Sequence, residues 1–113
     1  MKDKKIVKKN RMSFKEGVVM NALYKIGKPA SCAEVMEVLE NDYGLKYKDT
    51  TVYTFLANIQ DKELVKVELG RVKKYVPLID REILLNESLE TIKNLWFDGS
   101  LAAMKNYINK LDS

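Results

Sequence analysis

The sequence predicts a mainly α-helical fold carrying one small β-hairpin. Three observations predict it. Two capping boxes open helices in quick succession, a third helical stretch sets an uncharged polar face against an apolar stripe, and two β-branched runs flanking a Gly-Arg pair follow at once. At 113 residues the chain is one domain by length, with room for an appended element. A hydrophobic content of 46% supports a core, and a charged fraction of 32% fits an aqueous protein.

Residues 1–12 read as a flexible basic arm. The first helix opens at Ser13-Phe14-Lys15-Glu16, where serine and glutamate side chains satisfy each other's free backbone N–H groups. Its inward stripe is Val18, Val19, Ala22, Leu23 and Ile26, and Gly27 with Pro29 ends it. The device repeats in Ser31-Cys32-Ala33-Glu34, which opens a helix with Val35, Met36, Leu39 and Tyr43 inward and a stop near Gly44. Leu45 to Tyr47 connect it to a third helix over Lys48 to Leu64.

That third helix is the informative one. Val52, Phe55, Leu56 and Ile59 fall at i, i+3, i+4 and i+7 and share one stripe. The opposite face carries Thr50, Tyr53, Thr54, Ala57 and Asn58, hydroxyls and an amide without formal charge. Such groups on a rigid helix suit the reading of base edges, and a solvated face that happens to be threonine-rich is the alternative.

Leu64 to Leu69 and Val72 to Pro77 alternate in polarity and are rich in β-branched residues, with Gly70-Arg71 expected as the turn. A helix-turn-helix followed by a basic hairpin is the layout of a winged helix, so Arg71, Lys73 and Lys74 are candidate phosphate contacts, and Lys48 at the start of the third helix is a further candidate DNA contact. Lysines that discourage edge-to-edge strand pairing are the alternative for the hairpin. The DNA-binding unit is thus expected over residues 13–78.

Residues 79–113 are expected to form a helical dimerisation region. Asp80 can cap a fourth helix bearing Ile83, Leu84, Leu85, Leu89, Ile92, Leu95 and Trp96; Phe97-Asp98-Gly99-Ser100 breaks it; a last helix places Leu101, Met104, Ile108 and Leu111 on one stripe. This is more apolar surface than folding back on three paired helices would bury. Leu89, Ile92, Leu95, Trp96, Leu101, Met104 and Ile108 are therefore the expected homodimer contacts, with an internal cap on the domain as the alternative.

Charge follows the same division. Residues 1–11 hold six basic residues against one acidic, and Lys46 to Tyr75 hold seven against four. From Asp80 onward there are four basic against six acidic. Positive charge gathers on the arm and around the third helix, where a polyanion would bind.

With these residues in place, the chain resembles the BlaI/MecI/CopY family of bacterial penicillinase repressors over Ser13 to Leu111. The resemblance rests on Thr51-Val52-Tyr53-Thr54-Phe55-Leu56, Asp61-Lys62-Glu63-Leu64-Val65, Lys74-Tyr75-Val76-Pro77-Leu78 and Phe97-Asp98-Gly99-Ser100-Leu101, in that order and spacing. It implies a homodimeric winged-helix repressor that binds double-stranded palindromic operator DNA. It also implies that Thr50, Thr51, Tyr53 and Thr54 touch the operator and that the wing lysines touch phosphate. The chain departs from the family pattern at Asn58, where a basic residue is usual, and at Glu63, where glycine is usual. It has no Cys-x-Cys pair and no histidine, so the metal-sensing route of the copper-responsive branch is excluded. Asn106-Tyr107 is similar to the proteolytic site of the penicillinase repressors, but its spacing from Gly99-Ser100 differs by one.

No paired-carboxylate or Gly-rich phosphate motif suggests an enzyme, and no cofactor is implied. A winged-helix protein-interaction module stays open as the rival reading. No apolar run approaches the ~20 residues of a membrane span, and the basic N-terminus lacks the apolar core of a signal peptide, so a cytoplasmic location is expected. The single Cys32 makes no internal disulfide; in a first helical turn it reads as either a reactive thiolate or a small hydrophobe.

Overall fold

The computed structural model describes residues 12–112, so the basic arm expected over residues 1–12 lies, except for Met12, outside the described residues. The elements are α1 (Phe14–Ile26), α2 (Cys32–Tyr43), α3 (Asp49–Asp61), β1 (Val65–Glu68), β2 (Lys74–Pro77), α4 (Arg81–Trp96) and α5 (Leu101–Leu111). They fall into an N-terminal unit that closes at Arg81 and a C-terminal unit that begins at Glu82. This is a winged-helix architecture of helices and one antiparallel hairpin.

Both capping boxes form. Ser13 Oγ accepts from Glu16 N at 3.2 Å while Glu16 Oε1 accepts from Ser13 N at 3.0 Å, and Ser31 with Glu34 repeats the pair at 3.2 and 2.9 Å. Gly27 and Gly44 close α1 and α2 with φ of 74° and 67°, a left-handed conformation that costs a residue without Cβ nothing. The core is Val19, Met20, Leu23, Val35, Leu39, Val52, Leu56, Ile59 and Leu64. Met20 replaces the expected Val18 and Ile26, which are only half-buried. The reason is that α1 packs on α2, α3 and β2 together, so its buried face is broader than one stripe.

The hairpin is shorter than its residue pattern. Pairing runs from Val65↔Pro77 to Glu68↔Lys74, and Leu69 to Lys73 form the loop, in place of the expected two-residue turn at Gly70-Arg71. Leu69 and Val72 continue the alternation but are 81% and 52% exposed. With no core beneath them to reward pairing, the ladder stops at the opposite-charge pair Glu68 and Lys74. Ala30 adds an isolated bridge to β2, its N–H donating to Tyr75 O at 3.2 Å and its carbonyl accepting from Tyr75 N at 2.8 Å.

The turn from α3 into β1 is carried by Glu63 in the left-handed region, at φ 61°. Leu64 N donates to Ile59 O at 2.9 Å across it, and Leu64 is buried, so the motif is a helix stop whose positive-φ position favours glycine. Glu63→Gly is therefore expected to raise stability by about 0.5–1 kcal/mol in urea unfolding, through relief of the Cβ clash. A loss of stability would show that the turn is unstrained.

In the C-terminal unit, Asp98 and Gly99 carry positive φ and end α4, and Ser100 Oγ caps α5 by accepting from Ala103 N at 3.0 Å. The Phe97 and Tyr107 rings pack across the break, 5.8 Å apart. Leu84 and Met104 are buried, whereas Leu89, Ile92, Leu95, Trp96, Leu101, Ile108 and Leu111 are each at least 40% exposed. Met104 departs from the interface expectation in being closed off within the single chain. No helix of the described residues is long and apolar enough to cross a membrane.

Candidate nucleic-acid interface

The inward stripe of α3, Val52, Leu56 and Ile59, is fully buried, and this orients everything opposite it. Thr50, Tyr53, Thr54, Ala57 and Asn58 are exposed; Thr51 is half-buried at the edge of the stripe. Phe55 is half-buried too, its ring edge-on to Tyr47 at 5.5 Å. Lys48 is the N-cap residue but supplies no side-chain cap, and its side chain is exposed. The first free N–H is instead taken locally, Thr50 N donating to Asp49 Oδ1 at 2.7 Å.

Thr54 Oγ1 donates to Thr50 O at 3.0 Å. Its proton is committed to the helix and its lone pairs face outward, so the hydroxyl would act on a base as an acceptor, with its methyl available for an apolar contact. Asn58 is exposed on this face as expected, and its side chain also hydrogen-bonds Glu16. The amide is thus shared between the surface and the start of α1.

The wing belongs to the same compact unit. α3 contacts β1, β1 pairs with β2, and the Tyr53 phenol stands near enough to Tyr75 to add to the burial that raises the Tyr75 phenol. Arg71 and Lys73 are exposed in the loop, and Lys74 is exposed as the first residue of β2. Glu34 feels Lys74: its carboxyl is lowered first by the Ser31 N–H, with Lys28 and Lys74 adding positive charge. The expected recognition face and the expected phosphate cations therefore belong to one compact unit, each exposed.

The residues that periodicity missed are those bracing this body from behind. Lys62 Nζ donates to Glu16 Oε1 at 2.5 Å, tying the end of α3 to the start of α1, and Glu16 is only 5% exposed. Burial raises the Glu16 carboxyl, but Lys62, the Ser13 N–H and Asn58 outweigh it and hold it below its usual 4.5. The capping box announces Glu16; nothing in a spacing of 46 residues announces its partner. Cys32 is 5% exposed, and burial followed by the nearby Asp49 charge raises its thiol, so it packs as a hydrophobe. Among the described residues no cluster of His, Cys, Asp and Glu is placed to hold a metal.

A search of curated proteins gave no significant match. The family model described as Penicillinase repressor matches residues 12–110, which runs from just ahead of α1 to the last turn of α5. Fold, order of elements and this match agree, and the chain belongs to the penicillinase repressor family of DNA-binding transcriptional repressors.

Proposed function

We propose that this protein represses transcription by binding a palindromic operator as a cytoplasmic homodimer. Two copies of α3 would enter successive major grooves about 34 Å apart, and the two wings would lie along the backbone. The observation that carries the reading is the exposed, uncharged hydroxyl and amide face of α3 beside Arg71, Lys73 and Lys74. Thr50, Tyr53 and Thr54 would read base edges, with Thr51 and Asn58 in supporting contact. Lys48, Arg71, Lys73 and Lys74 would neutralise phosphates and position the helix without carrying sequence information.

The test is binding to DNA from immediately upstream of the gene, against a scrambled duplex of equal length, across a salt series. Selective binding that weakens steeply with salt supports the reading, because each phosphate contact releases condensed counterions. Weak and equal binding to both duplexes, or tight protein partners with little salt response, would sink it in favour of an interaction module. Two substitutions separate the roles. Thr54→Ala is expected to lower the ratio of cognate to random affinity by about 1–3 kcal/mol, whereas Lys74→Gln should weaken all sequences alike and flatten the salt slope by about one. An unchanged ratio in the Thr54 variant would remove that residue from base recognition.

A further inference from the structure

A cleft of about 390 Å³ opens in the N-terminal unit beside the end of α1 and the segment leading out of β2, within the size range of small-molecule sites. Its walls mix apolar and polar groups, with Pro29, Val76 and Leu78 beside Tyr24. Its rim is charged in both signs, with Lys28 and Arg81 opposite in charge to Asp80. The rim is also held in place. Tyr24 Oη donates to Ile79 O at 2.6 Å, Leu78 N donates to Leu64 O at 2.9 Å, and Arg81 Nε donates to Asn21 Oδ1 at 3.1 Å. That last bond uses one N–H of five and leaves the terminal guanidinium nitrogens for another partner. Lys28 stands 3.8 Å from Glu34 with its side chain 68% exposed, a weak surface pair that a ligand can displace. Asp80 and Arg81 both act on one wall residue: the Tyr24 phenol is raised first by burial and then by Asp80, and Arg81 lowers it. DNA binding as proposed uses none of these groups.

We propose that this cleft binds a small zwitterion with an apolar body, an α-amino acid with a hydrophobic side chain, its ammonium on Asp80, its carboxylate on Arg81 and Lys28, and its side chain on Pro29, Val76 and Leu78. A simple anion or cation would leave one sign of the rim unmatched, and a purely apolar ligand would desolvate the rim without pairing it. The segment that the ligand would brace runs from the last wing strand to the first residue of α4. Occupancy would therefore bias the wing, and DNA affinity would respond; this consequence rests on the repressor reading, while the site itself does not.

The test is a titration of the full chain, followed by amide chemical shifts, with L-phenylalanine and L-leucine. 3-Phenylpropionate, which lacks the ammonium, and phenethylamine, which lacks the carboxylate, are the controls. At least one amino acid is expected to saturate shifts at Tyr24, Gly27, Val76 and Arg81, with each control binding about tenfold more weakly, the worth of one lost charge-assisted contact. Asp80→Asn keeps the side chain's size and hydrogen-bonding groups and should weaken phenylalanine without weakening 3-phenylpropionate; Arg81→Gln should weaken both. No saturable shift at the cleft, equal binding by all three phenyl compounds, or an Asp80 variant that weakens phenylalanine and 3-phenylpropionate alike would overturn the site. Anisotropy of labelled upstream DNA with and without saturating amino acid then reads the coupling, expected to change affinity at least about threefold. Unchanged affinity would overturn the coupling, whereas selective amino-acid binding by a protein that binds no DNA would sink the repressor reading and leave the site standing.

Discussion

Lys62→Ala is expected to destabilise the N-terminal unit by about 2–4 kcal/mol in urea unfolding. The substitution removes the ammonium from a carboxylate that is only 5% exposed, and a buried charge stripped of its partner costs more than the pair itself contributed. The Ser13 N–H and Asn58 still bond Glu16, which keeps the loss toward the lower part of the range. A second substitution tests the cause. Glu16→Gln retains the capping box, since glutamine serves at that position, but carries no charge to strand. The double variant Glu16→Gln/Lys62→Ala is therefore expected to be more stable than Lys62→Ala alone, and strict additivity of the two changes would show that the side chains do not interact.

The same pair sets an acid limb. The Glu16 carboxyl in the folded chain lies below its ordinary 4.5, so the unfolded state binds the proton more readily and the stabilisation is complete above the unfolded value. It is lost as pH falls through the lower, folded value. Wild-type stability should decline on acidification below about pH 4.5 with a slope that Glu16→Gln reduces; identical slopes in the two proteins would place the acid sensitivity in other carboxyls.

Trp96→Ala is expected to raise the dimer dissociation constant by about thirtyfold or more, the effect of removing a central aromatic anchor worth about 2 kcal/mol. Leu85, Leu89, Ile92 and Trp96 lie at i, i+4, i+7 and i+11 on α4, and all are exposed, Trp96 at 72%. Such a stripe is rarely left open to water, and in the homodimer proposed above a second copy would bring the identical stripe to it in a two-fold interface. Sedimentation velocity at micromolar concentration should show wild-type dimer and a variant shifted toward monomer. Operator affinity should fall in step, because a monomer engages one half-site. A variant that remains fully dimeric would move the interface away from Trp96, with the exposed Leu101, Ile108 and Leu111 of α5 as the next surface to alter.

Much of this molecule is legible in short-range chemistry. A serine followed three residues later by glutamate marks where α1 and α2 begin, and the glycines in left-handed conformation mark where they stop. The stripe of Val52, Leu56 and Ile59 decides which face of α3 turns inward, and so leaves Thr50, Tyr53 and Thr54 outward. These features depend on neighbours within one or two turns, which is the range over which backbone hydrogen bonding and side-chain periodicity act.

What needed the folded chain depends on residues far apart in the sequence. The wing stops at Glu68 and Lys74 because no core lies beneath Leu69 and Val72, and alternation alone carries no information about what a side chain will meet. Met20 is buried because three elements converge on α1, where a helical period expects one facing surface. Met104, grouped by its spacing with an exposed stripe, is closed off inside the single chain. Glu16 finds Lys62 and Asn58 only once α1 and α3 are packed, and the cleft beside Tyr24 exists only where α1 meets the exit from β2. The sequence by itself determined the helices, their caps and the polar face of α3, because those rest on local bonding. The tertiary structure decided the ion pair, the length of the wing and the cleft, because burial and charge pairing belong to groups that only folding brings together.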